Sequence, residues 1–415
     1  MYRARIVDRE LKNLLSSLGA VVIEGPKACG KTETARQVAA SEVRLDVDLN
    51  ARQAASIDPS LVLDGVVPRL LDEWQMVPAL WNQVRRAVDD RRAVGQFVLT
   101  GSAVPQDDVT RHTGAGRFAR LRMRPMSLFE SGHSTGEVSL SALLNGRPPR
   151  ASDPGMKVGD LLERIAVGGW PGLLDQGVPR ALRAVRAYTE EVCRTDIQRV
   201  DGVAHDPEKV LLLMRSLARN LSTMTSLATL ARDVGEPDEA LAKNTVSAYY
   251  HALTRLMVVE DQPAWAPHLR SRSRVRTSPR RHSVDPSIAV AVLRAMPDRL
   301  LKDMAFVGFL FESLVIRDLR IYSQAEDAQV LHYRDNTDLE VDAVIEAADG
   351  RWAAFEIKLG SGAVDRGVET LLRFAGRVDT AKCGVPQILG VITGTGLAYV
   401  RADGVAVIPI GTLGP

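Results

Sequence analysis

The sequence predicts a multi-domain α/β protein, and three features carry that reading. Its 415 residues are too many for one hydrophobic core and divide into roughly two to four domains. Up to about residue 130 the chain alternates short apolar runs with helical patterns, as a parallel sheet flanked by helices requires. From about residue 300 a helical stretch, Phe306 to Ile321, gives way to several short strands, a second α/β module. The predicted boundaries are 1–130, a linker and helical lid over 131–205, a winged-helix-like domain over 206–284, and the last module over 285–415.

In the first domain, the apolar run Ala20 to Ile23 reads as a buried strand and leads into Gly25-Pro26-Lys27-Ala28-Cys29-Gly30-Lys31-Thr32. This octapeptide fits GxxxxGK[ST], followed by good helix formers from Glu33 to Ala40. Backbone N–H groups of residues 25–32 would converge on phosphates at a helix N-terminus, Lys31 would reach the β and γ oxygens, and the Thr32 hydroxyl would ligate Mg²⁺. The pattern therefore predicts a nucleoside triphosphate site. The next strand ends Leu70-Leu71-Asp72-Glu73. Asp72 is the expected Mg²⁺ partner and Glu73 the general base that orients water. A further strand, Gln96 to Leu99, runs into Thr100-Gly101-Ser102, where Thr100 and Ser102 are candidate sensors of the γ-phosphate. Among Arg117, Arg120, Arg122 and Arg124, Arg117 is the candidate arginine finger acting in trans, which requires a homo-oligomer. The other three read as a solvated strand face.

The stretch from Ser131 to Gly159 is rich in Ser, Gly and Pro and reads as a linker. Gly168-Gly169-Trp170-Pro171-Gly172 interrupts a helical region. Further on, Ser226 to Ala231 and Thr245 to Leu256 suggest a helix-turn-helix, with Val246, Tyr249, Leu253 and Leu256 on one face. The outward face, Asn244, Thr245, Ser247 and His251, is polar but hardly basic, so DNA reading and a purely structural role both stand. A following loop collects Arg270, Arg272, Arg274, Arg276, Arg280 and Arg281, a candidate wing for phosphate contact, a solvated face or a subunit contact.

In the last module, one strand carries Asp342 and the next carries Glu356 and Lys358, which share a face by the period-two rule. With Glu312 on the preceding helix, these residues form a candidate site for Mg²⁺ and phosphodiester cleavage, Asp342 and Glu356 as metal ligands and Lys358 stabilising charge. Glu356 and Lys358 also suit a surface pair on an edge strand.

Composition narrows the classes. A net charge of +2 points to no particular partner, and three cysteines without CxxC spacing give neither a disulfide framework nor a zinc site. No apolar stretch follows Met1-Tyr2-Arg3-Ala4-Arg5, and no apolar run approaches the roughly 20 residues of a membrane span. A cytoplasmic location and no membrane contact are expected.

Taken together, residues 25–32, Leu70 to Gln75, Leu99 to Ser102 and Gly116-Arg117-Phe118-Ala119-Arg120 resemble AAA+ type ATP-binding proteins of bacteria and archaea. Gly168 to Pro171 and the segment from Tyr333 through Lys358 resemble the C-terminal domain of unknown function that often accompanies them, itself similar to the PD-(D/E)xK restriction-endonuclease fold. Trp74 departs from the aliphatic residue more usual there. The resemblance implies a P-loop NTPase with a winged-helix middle region and a nuclease-like end, with ATP and Mg²⁺ as cofactors. It implies an ATPase switch coupled to DNA or RNA. The alternative is a nucleotide-controlled regulatory, toxin-antitoxin or defence scaffold that acts on a protein partner without nuclease activity.

Overall fold

The computed structural model describes residues 2–101, 114–201, 205–235, 241–267 and 278–415. Its first unit is a parallel sheet of β1 (Ala20–Glu24), β2 (Ser41–Arg44), β3 (Arg69–Asp72), β4 (Phe97–Gly101) and β5 (Phe118–Arg122), in the order β2-β3-β4-β1-β5. Strands β1 and β4 are central and almost wholly apolar, because helices cover both faces of a parallel sheet. On one face Trp81, Val84 and Leu80 of helix Leu80–Arg91 join Val22, Leu71 and Leu99. On the other, Leu11 and Leu15 of helix Val7–Ser17 pack with Val21, Ile23 and Leu121.

In register, Glu24 of β1 pairs with Gly101 of β4, and Thr100 of β4 with Asp72 of β3. The carboxyl ends of three adjacent strands therefore lie along one sheet edge, where ligands of open α/β sheets bind.

The middle of the chain is helical: Val158–Val167, Val178–Glu191, Pro207–Arg219, Leu227–Val234, Lys243–Arg255 and Pro286–Val292. In helix Lys243–Arg255, Val246, Tyr249 and Leu253 are buried while Asn244 and His251 are exposed. Short antiparallel bridges, Val259 with Ser283 and Gln262 with Arg280, follow it.

The last unit holds a mixed sheet of β7 (Ala328–Arg334), β8 (Glu340–Ala347), β9 (Trp352–Lys358), β10 (Leu389–Thr393), β11 (Tyr399–Val400) and β12 (Ala406–Pro409), in the order β11-β12-β10-β9-β8-β7. Helix Met304–Gln324 packs on β7, β8 and β9, and helix Val364–Ala375 on β8, β9 and β10. The stretch read as a linker is not one. β6 (Val138–Ser139) pairs with β13 (Leu413–Gly414), and Leu140, Leu143 and Leu144 of the next helix enter the main core. The glycines and prolines around these few apolar residues obscured them. Among the described residues, no helix is long and apolar enough to cross a membrane.

Candidate functional site

At the carboxyl end of β1, the loop turns through left-handed backbone at Ala28 (φ 63°) and Gly30 (φ 101°) before helix Lys31–Arg36 begins. Successive left- and right-handed residues aim N–H groups into one concavity, the geometry that binds anions. Lys31 is buried, and its Nζ donates to the carbonyls of Gly25 and Pro26, each at 2.9 Å. Thr32 Oγ1 donates to Asp72 Oδ1 at 2.8 Å, and Thr100 Oγ1 donates to the same oxygen. Lys27 Nζ reaches Asp196 Oδ1 at 2.5 Å, tying the loop to the middle helices. The ideal Cβ position of Gly30 lies 3.5 Å from both Arg5 Nη1 and Pro171, so the 168–172 segment lies against this loop.

Glu73 follows Asp72 in left-handed backbone (φ 54°), an unusual conformation for this residue type. Gln75 Nε2 donates to Glu73 Oε2 and anchors the carboxylate. Gln75 lay beside the acidic pair in the sequence and was not singled out there. The residues thus offer hard oxygen donors, Thr32 and Asp72, beside a lysine and an anion-binding loop, a set that fits Mg²⁺ and a triphosphate.

Other expectations fare differently. Ser102 lies outside the described residues, as do Arg270, Arg272, Arg274 and Arg276. Arg117 sits at the start of β5, the end remote from the loop, where its Nε donates to Asp89 Oδ1 at 2.8 Å. Arg122 and Arg124 do not form a solvated strand face; both turn toward Glu260, on a segment distant in sequence. Arg280 and Arg281 are 5% and 8% exposed, so neither is a solvent-facing wing.

In the last unit the structure does bring Glu312, Asp342, Glu356 and Lys358 together. Glu356 and Lys358 lie on an interior strand, not an edge. Lys358 Nζ lies 2.6 Å from Glu356 Oε2 and 3.1 Å from Asp342 Oδ2, and the Ile357 N–H donates to the latter at 2.9 Å. The unforeseen member is Arg280. Its Nη1 bridges Glu312 Oε1 at 2.6 Å and Asp342 Oδ1 at 2.9 Å, and its Nη2 reaches Glu340 Oε2 at 2.8 Å. Burial, then the charge of Asp342, pushes Glu312 up to about 8. Glu356 is raised by the same two causes, while Lys358 and Arg280 hold Asp342 low against burial. Arg280 and Lys358 thus bring two positive charges among these carboxylates. Among the described residues, no group of three His, Cys, Asp or Glu is arranged to hold a metal ion, and Asp342 and Glu356, expected as metal ligands, pair with Arg280 and Lys358. No local pattern gave Arg280 away, since it comes from 32 residues before Glu312 and 62 before Asp342.

Comparison with known proteins follows these divisions. Residues 18–131 match a family model described as AAA domain, 158–299 a domain of unknown function (DUF8612), and 307–413 another (DUF4143). Similar solved structures include the Walker-type ATPase PABY2304 of Pyrococcus abyssi, with 12% identity, a TM-score of 0.42, and coverage of 69% of this chain and 94% of that one. A DNA replication initiation factor shares 13% identity at a TM-score of 0.24, with 60% and 90% covered. Drosophila ORC bound to DNA shares 12% at 0.22, with 70% and 85% covered. Scores this low carry no functional inference. None of the curated proteins compared matches the chain. The first unit is an AAA-type P-loop domain.

Proposed function

We propose that this protein binds ATP with Mg²⁺ at the 25–32 loop, hydrolyses it, and uses the cycle to switch contacts between its P-loop domain and the units that follow. The observation that carries the reading is the Thr32 Oγ1 to Asp72 Oδ1 bond of 2.8 Å beside the Lys31 ammonium. Bound Mg²⁺ supplies neutralisation of the charge that develops on the phosphates. In this reading Thr32 and Asp72 hold the metal, and Lys31 leaves the two loop carbonyls for phosphate oxygens. Glu73, fixed by Gln75, accepts a proton from the attacking water. Lys27 and the 168–172 segment lie where a change in the loop passes to the middle helices. The winged-helix reading of residues 206–284 stands as part of this proposal, on the helix pair and the bridges after it. The test is ATP turnover by purified protein, with and without single- and double-stranded DNA, beside Lys31→Ala. Turnover absent from Lys31→Ala supports the site, and stimulation by DNA supports nucleic-acid coupling. Equal turnover in Lys31→Ala sinks the proposal.

A second reading concerns the last unit, and Arg280 favours it: a contact module of restriction-endonuclease-like shape without cleavage activity, as in a nucleotide-controlled scaffold. With Mg²⁺ or Mn²⁺, plasmid DNA is expected to be cut no faster by the wild type than by the Glu356→Ala, Lys358→Ala double variant. Cleavage that only the wild type performs would restore the nuclease.

A further inference from the structure

Side chains alternate along a strand, so Arg120 and Arg122 share one face of the edge strand β5, and Arg124 follows two residues on. Helix Met304–Gln324 faces them with Arg320 and Gln324, and Glu260 stands between. Arg124 donates to Glu260 through Nη2 at 2.7 Å and Nε at 3.0 Å, and Arg320 Nη1 lies 3.7 Å from the same carboxylate. Burial would raise Glu260, but Arg124, Arg320 and Arg122 together hold it well below its ordinary value. Three guanidinium groups therefore share one carboxylate. Desolvation lowers Arg122 and brings Arg320 down to about 10, the mark of cations short of counter-charge.

Two of their nitrogens, Arg122 Nε and Arg320 Nη2, are buried with no hydrogen-bond acceptor among the described residues. Native proteins rarely leave such donors unmet; covered from solvent as they stand, these two nitrogens meet a ligand in the cleft once their guanidinium groups turn toward it. These side chains line a cavity of about 420 Å³, within the range of small-ligand sites, that reaches solvent past exposed Arg120 and Asp327. The other acids on its wall are engaged or peripheral. Asp261 Oδ2 accepts from Arg281 at 2.5 Å, Glu10 accepts from Gln324 Nε2 at 2.8 Å and is raised by burial, and Asp327 stands at the rim.

We infer that this cleft is a second oxyanion site, distinct from the 25–32 loop, in which Arg122 and Arg320 bind a phosphate group with Arg124 beside them. Planar forks of donors suit the non-bridging oxygens of a phosphate, whereas the hydrogen bonds of the Glu260 carboxylate go to Arg124. A free phosphate compound and a nucleic-acid phosphodiester offer the same chemistry.

Titration calorimetry of the full-length protein with inorganic pyrophosphate, and separately with a short single-stranded oligonucleotide, distinguishes the two sources. In Lys31→Ala, binding of one of these probes is expected to persist. It is expected to weaken at least tenfold on adding Arg122→Gln or Arg320→Gln, and severalfold with Arg122→Lys, which keeps the charge but loses the fork. Binding only by pyrophosphate assigns a free phosphate; binding only by the oligonucleotide assigns a phosphodiester. Hydrogen exchange on the Lys31→Ala protein needs no second substitution, and protection is expected over 120–124 and 318–324. Binding by neither probe, loss of binding in Lys31→Ala alone, or protection confined to 25–32 overturns the inference.

Discussion

Replacing Arg317 with alanine is expected to lower the thermal midpoint by roughly 6–20 °C. Arg317 is 2% exposed, and Asp285 and Asp318 are fully buried around it. Its Nη1 donates to Asp285 Oδ2 at 2.7 Å, and its Nη2 and Nε donate to Asp318 Oδ1 at 2.7 and 2.9 Å. Each carboxylate then accepts from a distant backbone: Asp285 from Gly169 N at 2.9 Å, and Asp318 from Leu128 N at 3.0 Å. Asp285 Oδ1 further accepts from Ser287 N at 2.9 Å, and the Trp170 indole N–H donates to Ser287 Oγ at the same distance. One guanidinium thus joins the exit of the P-loop domain, the 168–170 turn and the helix of the last unit. Removing one partner leaves buried charges uncompensated, at about 3–5 kcal/mol, and a domain of about 150–250 residues loses about 2–4 °C per kcal/mol. Arg317→Lys is expected to recover little, because a single ammonium cannot serve both carboxylates with the same fork. Differential scanning calorimetry decides it, and a shift below about 3 °C would mean that the three segments are held by apolar packing instead.

Glu73→Gln is expected to lower the ATP hydrolysis rate by about 10²–10⁴ while ATP binding stays within a few-fold of wild type. The amide keeps the size and the left-handed backbone at 73 but cannot take a proton. The partner that holds it, Gln75, can still donate to an amide oxygen, so the local geometry has a means to persist. Single-turnover hydrolysis beside equilibrium nucleotide binding checks this. Unchanged hydrolysis would remove Glu73 from the role of base, and lost binding would mean that the substitution disturbs the loop itself.

How much of this was legible in the sequence depended on how far apart the interacting residues lie. The strand, loop and helix around Lys31 were readable because the chemistry occupies consecutive residues, and the Asp72-Glu73 pair because an apolar strand ends on it. In the last unit, Asp342, Glu356 and Lys358 were readable because two neighbouring strands present them at period two. Arg280 was not, since its chain neighbours marked it as one of a run of exposed arginines. The same error touched Arg122 and Arg124: an alternating basic strand reads as solvated until the fold sets Glu260 against it.

The sequence by itself therefore determined the P-loop domain, the order of its sheet-edge residues and the presence of a second α/β unit, all consequences of local spacing and hydrophobic period. Only the tertiary structure decided which charges meet. It put a guanidinium among the carboxylates of the last unit, three arginines around one glutamate, and Arg317 between two aspartates. The reason is physical: desolvation and pairing act over a few ångströms in space, and residues far apart along the chain come that close only after folding.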